Sequence, residues 1–151
     1  MPTTPTDTET TVADPQPYDE PPAAATSTGL DENVAGALSY LLGILTGLVF
    51  FVVEKDNQYV RFHAAQSIAV FGIVFVGSIV LGVVGTAVSA LFVAGGTGGF
   101  VIGSLLSLAL FLVWSVFGLA ALALWVYLMV RAYQGKTPRI PIAAGIADRL
   151  V

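Results

Sequence analysis

From Phe62 to Val130 the sequence contains no Asp, Glu, Lys or Arg. A soluble domain needs charged side chains on its surface, and about a quarter of the residues in an average soluble chain are charged. Here charged residues make up 11% of the chain and hydrophobic residues 56%. Hydrocarbon tolerates such a stretch, because a helix satisfies its own backbone hydrogen bonds. The stretch therefore predicts an integral membrane protein built from helices.

Three apolar runs, at about 34–53, 67–94 and 100–130, predict three transmembrane helices. The first run has the length of ~20 residues that crosses a bilayer core, and Asp31 is suited to cap it. The other two are longer than a crossing needs, so those helices must tilt, protrude or bend. The expected fold class is an all-α membrane protein, with residues 31–151 as its helical membrane domain.

Residues 1–30 form an acidic tail that is rich in Pro and Thr and holds few large apolar side chains. Ordering such a segment would cost conformational entropy that little burial could offset, so we expect disorder. An acidic, lysine-poor chain is typical of a halophile, although a plain solvated tail explains the composition equally well.

The positions of the basic residues predict a topology. All six lie in two short segments, at Lys55, Arg61, Arg131, Lys136, Arg139 and Arg149. Basic residues in short loops mark the cytoplasmic side of a membrane. With three spans, both segments lie inside if the N-terminus is outside and the C-terminus is cytoplasmic. This topology in the cell membrane requires the acidic tail to be translocated.

Beyond the third run, Pro138 and Pro141 prevent a smooth continuation of the helix. Apolar side chains recur there beside Arg139 and Arg149, at Ile140, Ile142, Ile146 and Leu150. One interpretation is a short interfacial segment that favours anionic lipid. The other is a loose basic tail.

Small residues follow a four-residue spacing in the first two runs. Gly43 and Gly47 form a GxxxG motif, and Ser78, Gly82 and Thr86 repeat the spacing. Such faces let helices approach closely, within one chain or between copies. The alternative is that glycine is simply common in membrane helices.

The densest polar chemistry lies between the first two runs. Its candidate docking residues are Glu54, Lys55, Asp56, Arg61, His63 and Gln66. One interpretation is a docking or gating hairpin that faces the cytoplasm. The other is an anchor at the membrane interface, with Arg61 extending its charged group towards water.

No catalytic, cofactor or metal site is expected. The chain has no cysteine and one histidine, His63, without neighbouring ligands in the sequence. It also lacks nucleotide and nucleophile motifs. No basic face favours nucleic acid. These features predict a protein that is not an enzyme.

The hairpin sequence also carries a resemblance. Glu54-Lys55-Asp56, followed by the segment VRFHAAQS at 60–67, resembles the signature of a widespread group of small, uncharacterised prokaryotic membrane proteins. The end of the chain is similar to the same group, with an A-Y-x-G step at 132–135 and an I-P-I step at 140–142. The group is often linked to a helical component of the chloroplast inner-envelope import (Tic) complex. The resemblance implies a fold more than an activity, and the Tic component is usually described with four spans.

The leading hypothesis is a small non-enzymatic membrane protein that packs against itself or a membrane-protein partner and docks through its hairpin. The alternative is an oligomeric channel or translocation pore, with a polar lining from Ser78, Thr86, Ser89, Ser104 and Ser107.

Overall fold

The computed structural model describes residues 25–93 and 95–151. Helices account for the regular structure of these residues, in the order α1 (Glu32–Leu38), α2 (Ile44–Val53), α3 (Gln58–Val93), α4 (Gly96–Tyr133) and α5 (Pro141–Leu150). The predicted all-α class is confirmed for this part of the chain. The disorder predicted for 1–30 falls mostly outside it, but residues 25–30 form a turn with a hydrogen bond from the Gly29 N–H to the Thr26 carbonyl.

Two helices, α3 and α4, are long and apolar enough to cross a membrane. They contain the runs predicted at 67–94 and 100–130, and their 36 and 38 residues extend over about 54 and 57 Å. They pack as an antiparallel pair. A Cβ at Gly77 would lie 3.5 Å from Phe117, and one at Gly85 would lie 3.8 Å from Leu110.

The first apolar run is not one helix. It divides into α1 and α2 around a turn at 39–43, where Gly43 has a φ of 62°. The chain reverses there. A Cβ at Gly36 would lie 2.8 Å from Tyr59, and one at Gly43 would lie 2.9 Å from Phe71, which is deeper along α3. After the turn the chain returns along α3, until Glu54 contacts Ser27.

Side chains satisfy the backbone groups that this turn frees. The Thr46 hydroxyl donates to the Ser39 carbonyl and accepts from the Leu42 N–H, both at 3.1 Å. The Ser67 hydroxyl donates to the Gly43 carbonyl at 3.1 Å. The Trp125 indole N–H donates to the Tyr40 carbonyl at 2.8 Å. Non-helical backbone is tolerated in an apolar environment when it is satisfied in this way.

The prediction that 34–53 forms one crossing helix is therefore wrong. Its ten-residue second half extends only about 15 Å, half the thickness of a bilayer core. Both ends of the run lie at one end of the α3–α4 pair, together with residues 131–139. We call this the polar end, because the charged residues that the structure describes gather there. The two ends of the described chain lie close together there, since Ser27 contacts Glu54 and a Cβ at Gly135 would lie 3.2 Å from Asn33.

The last helix, α5, packs on the outside of α3. It begins with Pro141 at a first-turn position, where proline fits because no helical N–H is needed. Its alanines Ala144 and Ala147 pack against Phe62 and Ala65. The C-terminal segment is thus docked as a short helix, which supports the interfacial interpretation over a loose tail.

Replacing Gly43 with alanine should destabilise the fold, since alanine resists positive φ and its Cβ would overlap the Phe71 ring. We expect a loss of roughly 1–3 kcal/mol in the free energy of unfolding. The matched control is Gly72→Ala, whose Cβ would meet nothing within 4 Å and should not destabilise. Thermal unfolding of both variants in detergent, followed by tryptophan fluorescence, measures the difference. Equal transitions would contradict the strained-turn assignment.

Candidate functional site

The Glu54 carboxylate is fully buried at the polar end. One oxygen accepts the Ser27 N–H at 2.8 Å, and the other accepts the Ser27 hydroxyl at 3.0 Å. The Asn57 N–H lies 3.3 Å from the second oxygen. A carboxylate buried without donors would be costly. This set of donors ties the start of the described chain to the end of α2.

Asn57 joins three helices. Its side-chain oxygen accepts the Val60 N–H at 3.0 Å, which caps the N-terminus of α3. Its side-chain nitrogen donates to the Glu32 carboxylate at 3.1 Å, at the start of α1. Because Asn57 also contacts Glu54, the two ends of the α1–α2 hairpin are held at one place.

His63 lies under this layer, between α1 and α3, and is completely buried. Its Nδ1 forms a 3.0 Å hydrogen bond with the Tyr40 hydroxyl. The Tyr59 ring lies 4.4 Å away between centroids, and Tyr40 and Phe62 approach edge-on. The histidine therefore acts as a packed, hydrogen-bonded connection between the hairpin and the long helices.

Two further side chains of α3 hold the C-terminal segment. The Tyr59 hydroxyl donates to the Ala132 carbonyl at 2.6 Å, in the last turn of α4. The Gln66 amide donates to the Pro138 carbonyl at 2.9 Å. The first three turns of α3 thus connect to α1, α2, α4 and the segment that leads to α5.

The predicted docking residues divide into two groups. Glu54, His63 and Gln66 are fully buried, so the expectation that they face the cytoplasm is not met, because each is used in hydrogen bonds within the chain. Lys55 and Asp56 are exposed. Arg61 is half-buried, with its guanidinium 4.9 Å from the Phe51 ring centroid and 3.3 Å from the Glu54 carbonyl.

The predicted packing residues also divide. Gly47 packs within the chain, where a Cβ would lie 3.1 Å from Ser67 and Ile68. Gly43 belongs to the turn, so the two glycines do not form one helix face. Ser78 and Thr86 donate to carbonyls of their own helix. Gly82 is in ordinary contact with Trp114, at 3.9 Å for a Cβ.

The residues that sequence reasoning missed are those that stabilise the turn and the hairpin, namely Ser39, Tyr40, Thr46, Ser67 and Trp125. Each is a polar or amphipathic residue within an apolar run, and such residues face partners when buried. The polar side chains of Ser39, Tyr40 and Thr46 could have indicated that the run at 34–53 is interrupted, although they do not identify their hydrogen-bond partners. Within the described ranges, no group of three or more His, Asp or Glu residues could hold a metal ion.

The fold and site define a class: a small all-helical membrane protein with two long apolar helices and a helical hairpin held at one end by buried polar side chains. The chain belongs to the family described as the "Magnetosome magnetite crystal formation protein family", whose match covers residues 23–147. The match includes the α1–α2 hairpin and most of α5.

Two relatives from archaea are named membrane proteins. A UPF0132 membrane protein of Methanocaldococcus jannaschii is 36% identical over 82% of this chain and 92% of its own length. One from Archaeoglobus fulgidus is 34% identical over 81% of this chain and 97% of its own length. No solved structure matches. The uncharacterised prokaryotic family suggested by the hairpin motif is thus supported, whereas these comparisons show no link to the Tic component.

Replacing Tyr40 with phenylalanine should leave the buried Nδ1 of His63 without its partner. We expect the free energy of unfolding to fall by roughly 1–3 kcal/mol. Tyr133→Phe is the matched control, because that ring is 64% exposed and its hydroxyl is available to water. Thermal unfolding in detergent provides the measurement. A loss at Tyr133 as large as that at Tyr40 would show that the buried hydrogen bond is not the cause.

Proposed function

We propose that this chain is a small non-enzymatic integral membrane protein that acts as a docking platform at its polar end. The single observation that supports this most is that the buried polar side chains form hydrogen bonds within the chain. Glu54, Asn57 and Gln66 connect four segments of the chain to each other. A face assembled from several segments and fixed by buried hydrogen bonds is pre-organised, and pre-organisation lowers the entropy lost on binding.

The docking surface consists of the exposed polar residues outside this network. Lys55 and Asp56 stand at the connection between α2 and α3, next to the exposed Gln58. Exposed charges at the edge of an interface favour association rate and specificity. The partner is either a second copy or another membrane protein that presents the opposite charge pattern.

The polar end is assigned to the cytoplasmic side. The basic residues of the chain lie at this end, while 62–130 carries no full charge. From the positive-inside rule we infer that the polar end faces the cytoplasm and that the opposite end of the α3–α4 pair faces outside. Because Ser27 contacts Glu54, residue 27 lies on the same side as the C-terminal segment. This topology does not require translocation of an acidic tail.

Cysteine labelling tests this topology, because the chain has no native cysteine. Thr28→Cys and Gln134→Cys should both resist a membrane-impermeant maleimide in intact cells and react after permeabilisation. Gly98→Cys, at the opposite end, should react in intact cells. Labelling of Thr28→Cys from outside, with Gln134→Cys protected, would instead support a chain that crosses the membrane three times.

Docking is tested by a photo-crosslinking residue at position 58 in the full chain, in native membranes. We expect a defined protein adduct. Exchange of the two neighbouring charges, by Lys55→Asp together with Asp56→Lys, should reduce the yield of this adduct at least fivefold. The exchange should leave the thermal stability of the protein unchanged. The exchange keeps net charge constant, so it isolates the charge pattern. The same crosslinker at Val83, a lipid-exposed position 64% accessible, serves as the control. If the adduct joins two copies, only one of them carries the exchange, because two exchanged copies would again have complementary charges. An adduct that the exchange then leaves unchanged would contradict docking at this connection.

One specific observation favours the alternative hypothesis of a pore. Thr86, Ser89 and Ser107 line a single groove of about 470 Å³ between α3 and α4, beside Gly82 and Trp114. Several copies would be needed to enclose a channel from such grooves. Solute flux into liposomes that contain the purified protein tests the pore. Flux that Gly82→Leu abolishes and Gly118→Leu retains would favour the pore over docking. Gly118→Leu is the control because a Cβ at Gly118 meets nothing within 4 Å.

The family description names magnetite crystal formation. The described residues offer no cluster of carboxylates and histidine suited to iron. Docking rests on the geometry of the polar end instead.

A further inference from the structure

We propose that α5 and the basic residues at its two ends form a binding site for an anionic phospholipid. The proposal uses a different surface from the Lys55–Asp56 docking site. It rests on the placement of the polar end at a membrane surface, which the cysteine labelling tests separately.

The two faces of α5 are unusual for a helix on a water-soluble protein. The face against α3 carries small side chains, Ala143, Ala144 and Ala147, which are buried. The larger apolar side chains point away from the protein, with Ile142 71% exposed, Ile146 40% and Leu150 47%. In water, a helix buries its large apolar side chains against the core. The reversed arrangement indicates that hydrocarbon covers the outer face.

The position of α5 along α3 supports lipid as the occupant. The helix packs against Phe62 and Ala65, where the charge-free part of α3 begins. The apolar outer face of α5 therefore lies beside the first turns of a helix that is long enough to cross a membrane. An amphipathic helix at this level has its apolar side chains at the boundary between headgroups and acyl chains.

Charge determines which lipid fits. Lys136 and Arg139 precede α5 and Arg149 lies in its last turn, while Asp148 is the one acidic residue among residues 134–151. Arg139 is held in place by two contacts: its guanidinium lies 5.6 Å from the Phe62 ring centroid, and one nitrogen is 3.1 Å from the Asp148 carboxylate. The side chain of Arg139 is nevertheless 66% exposed, and guanidinium groups bind phosphate through paired N–H donors. The excess of cations favours an anionic headgroup over a zwitterionic one.

The segment that carries Arg139 and Arg149 is held against the rest of the protein. The Gln66 amide holds the Pro138 carbonyl at 2.9 Å, just before Arg139. Pro141 then begins the helix that leads to Arg149. Arg149 lies in the last turn of α5, next to Asp148, whose carboxylate is 3.1 Å from the Arg139 guanidinium.

The test uses the full chain in detergent, with native mass spectrometry after addition of phosphatidylglycerol or phosphatidylcholine at equal concentration. We expect preferential retention of phosphatidylglycerol. Arg139→Gln with Arg149→Gln should lower that preference about 25-fold, from roughly fivefold for each basic residue near an anionic surface. Arg139→Lys with Arg149→Lys should retain most of it, and Lys55→Gln, outside the site, should leave it unchanged.

Three results would overturn the proposal. The first is equal retention of the two lipids by the unaltered chain. The second is displacement of phosphatidylglycerol by glycerol phosphate at the same concentration, which would assign the site to a free phosphate. The third is a lipid-free dimer that dissociates on Ile142→Ser, which would assign the outer face of α5 to a second copy. Unchanged thermal stability of the arginine variants excludes loss of folding as the reason for a lost preference.

Discussion

The structure depends on one constraint: a helix that breaks inside an apolar environment must find partners for the backbone groups it frees. The turn at 39–43 meets that constraint with side chains from three helices, Thr46, Ser67 and Trp125. An unsatisfied buried backbone group would cost as much as a lost hydrogen bond with its desolvation. Because these partners come from α2, α3 and α4, the turn also fixes where the α1–α2 hairpin lies against the long helices.

The polar end extends the same principle to side chains. Glu54, His63 and Gln66 are buried, and each is paired within the chain in a way that joins distant segments. The exposed charged residues of the described chain are Asp31, Lys55, Asp56, Lys136, Arg139, Asp148 and Arg149. One set of polar residues thus stabilises the fold, while another presents charge to water, to lipid headgroups or to a partner. In the hairpin, the buried Glu54 is followed directly by the exposed Lys55 and Asp56, so residue type alone cannot separate the two sets.

Away from the polar end, α3 and α4 continue as a pair without further helices among the described residues. The buried residues of α4 are Leu128 and Ala132, both in its last two turns. The rest of its surface is suited to lipid or to another copy, and its contacts with α3 use glycines such as Gly77 and Gly85. Close approach through small residues is the usual means of helix association in membranes, where apolar burial gives little driving force.

The sequence by itself determined the helical membrane class, the two long helices and the gathering of basic residues into short segments. Those features follow from composition and length, since charge-free runs longer than a bilayer is thick have few other solutions. Only the tertiary structure decided that 34–53 turns back instead of crossing. A run of about 20 apolar residues reads as a span, and neither the positive φ of Gly43 nor the partners of the turn are visible along the chain. The same holds for Glu54, His63 and Gln66: their burial depends on Ser27, Tyr40 and Pro138, which lie far away in sequence and meet them only in the folded chain.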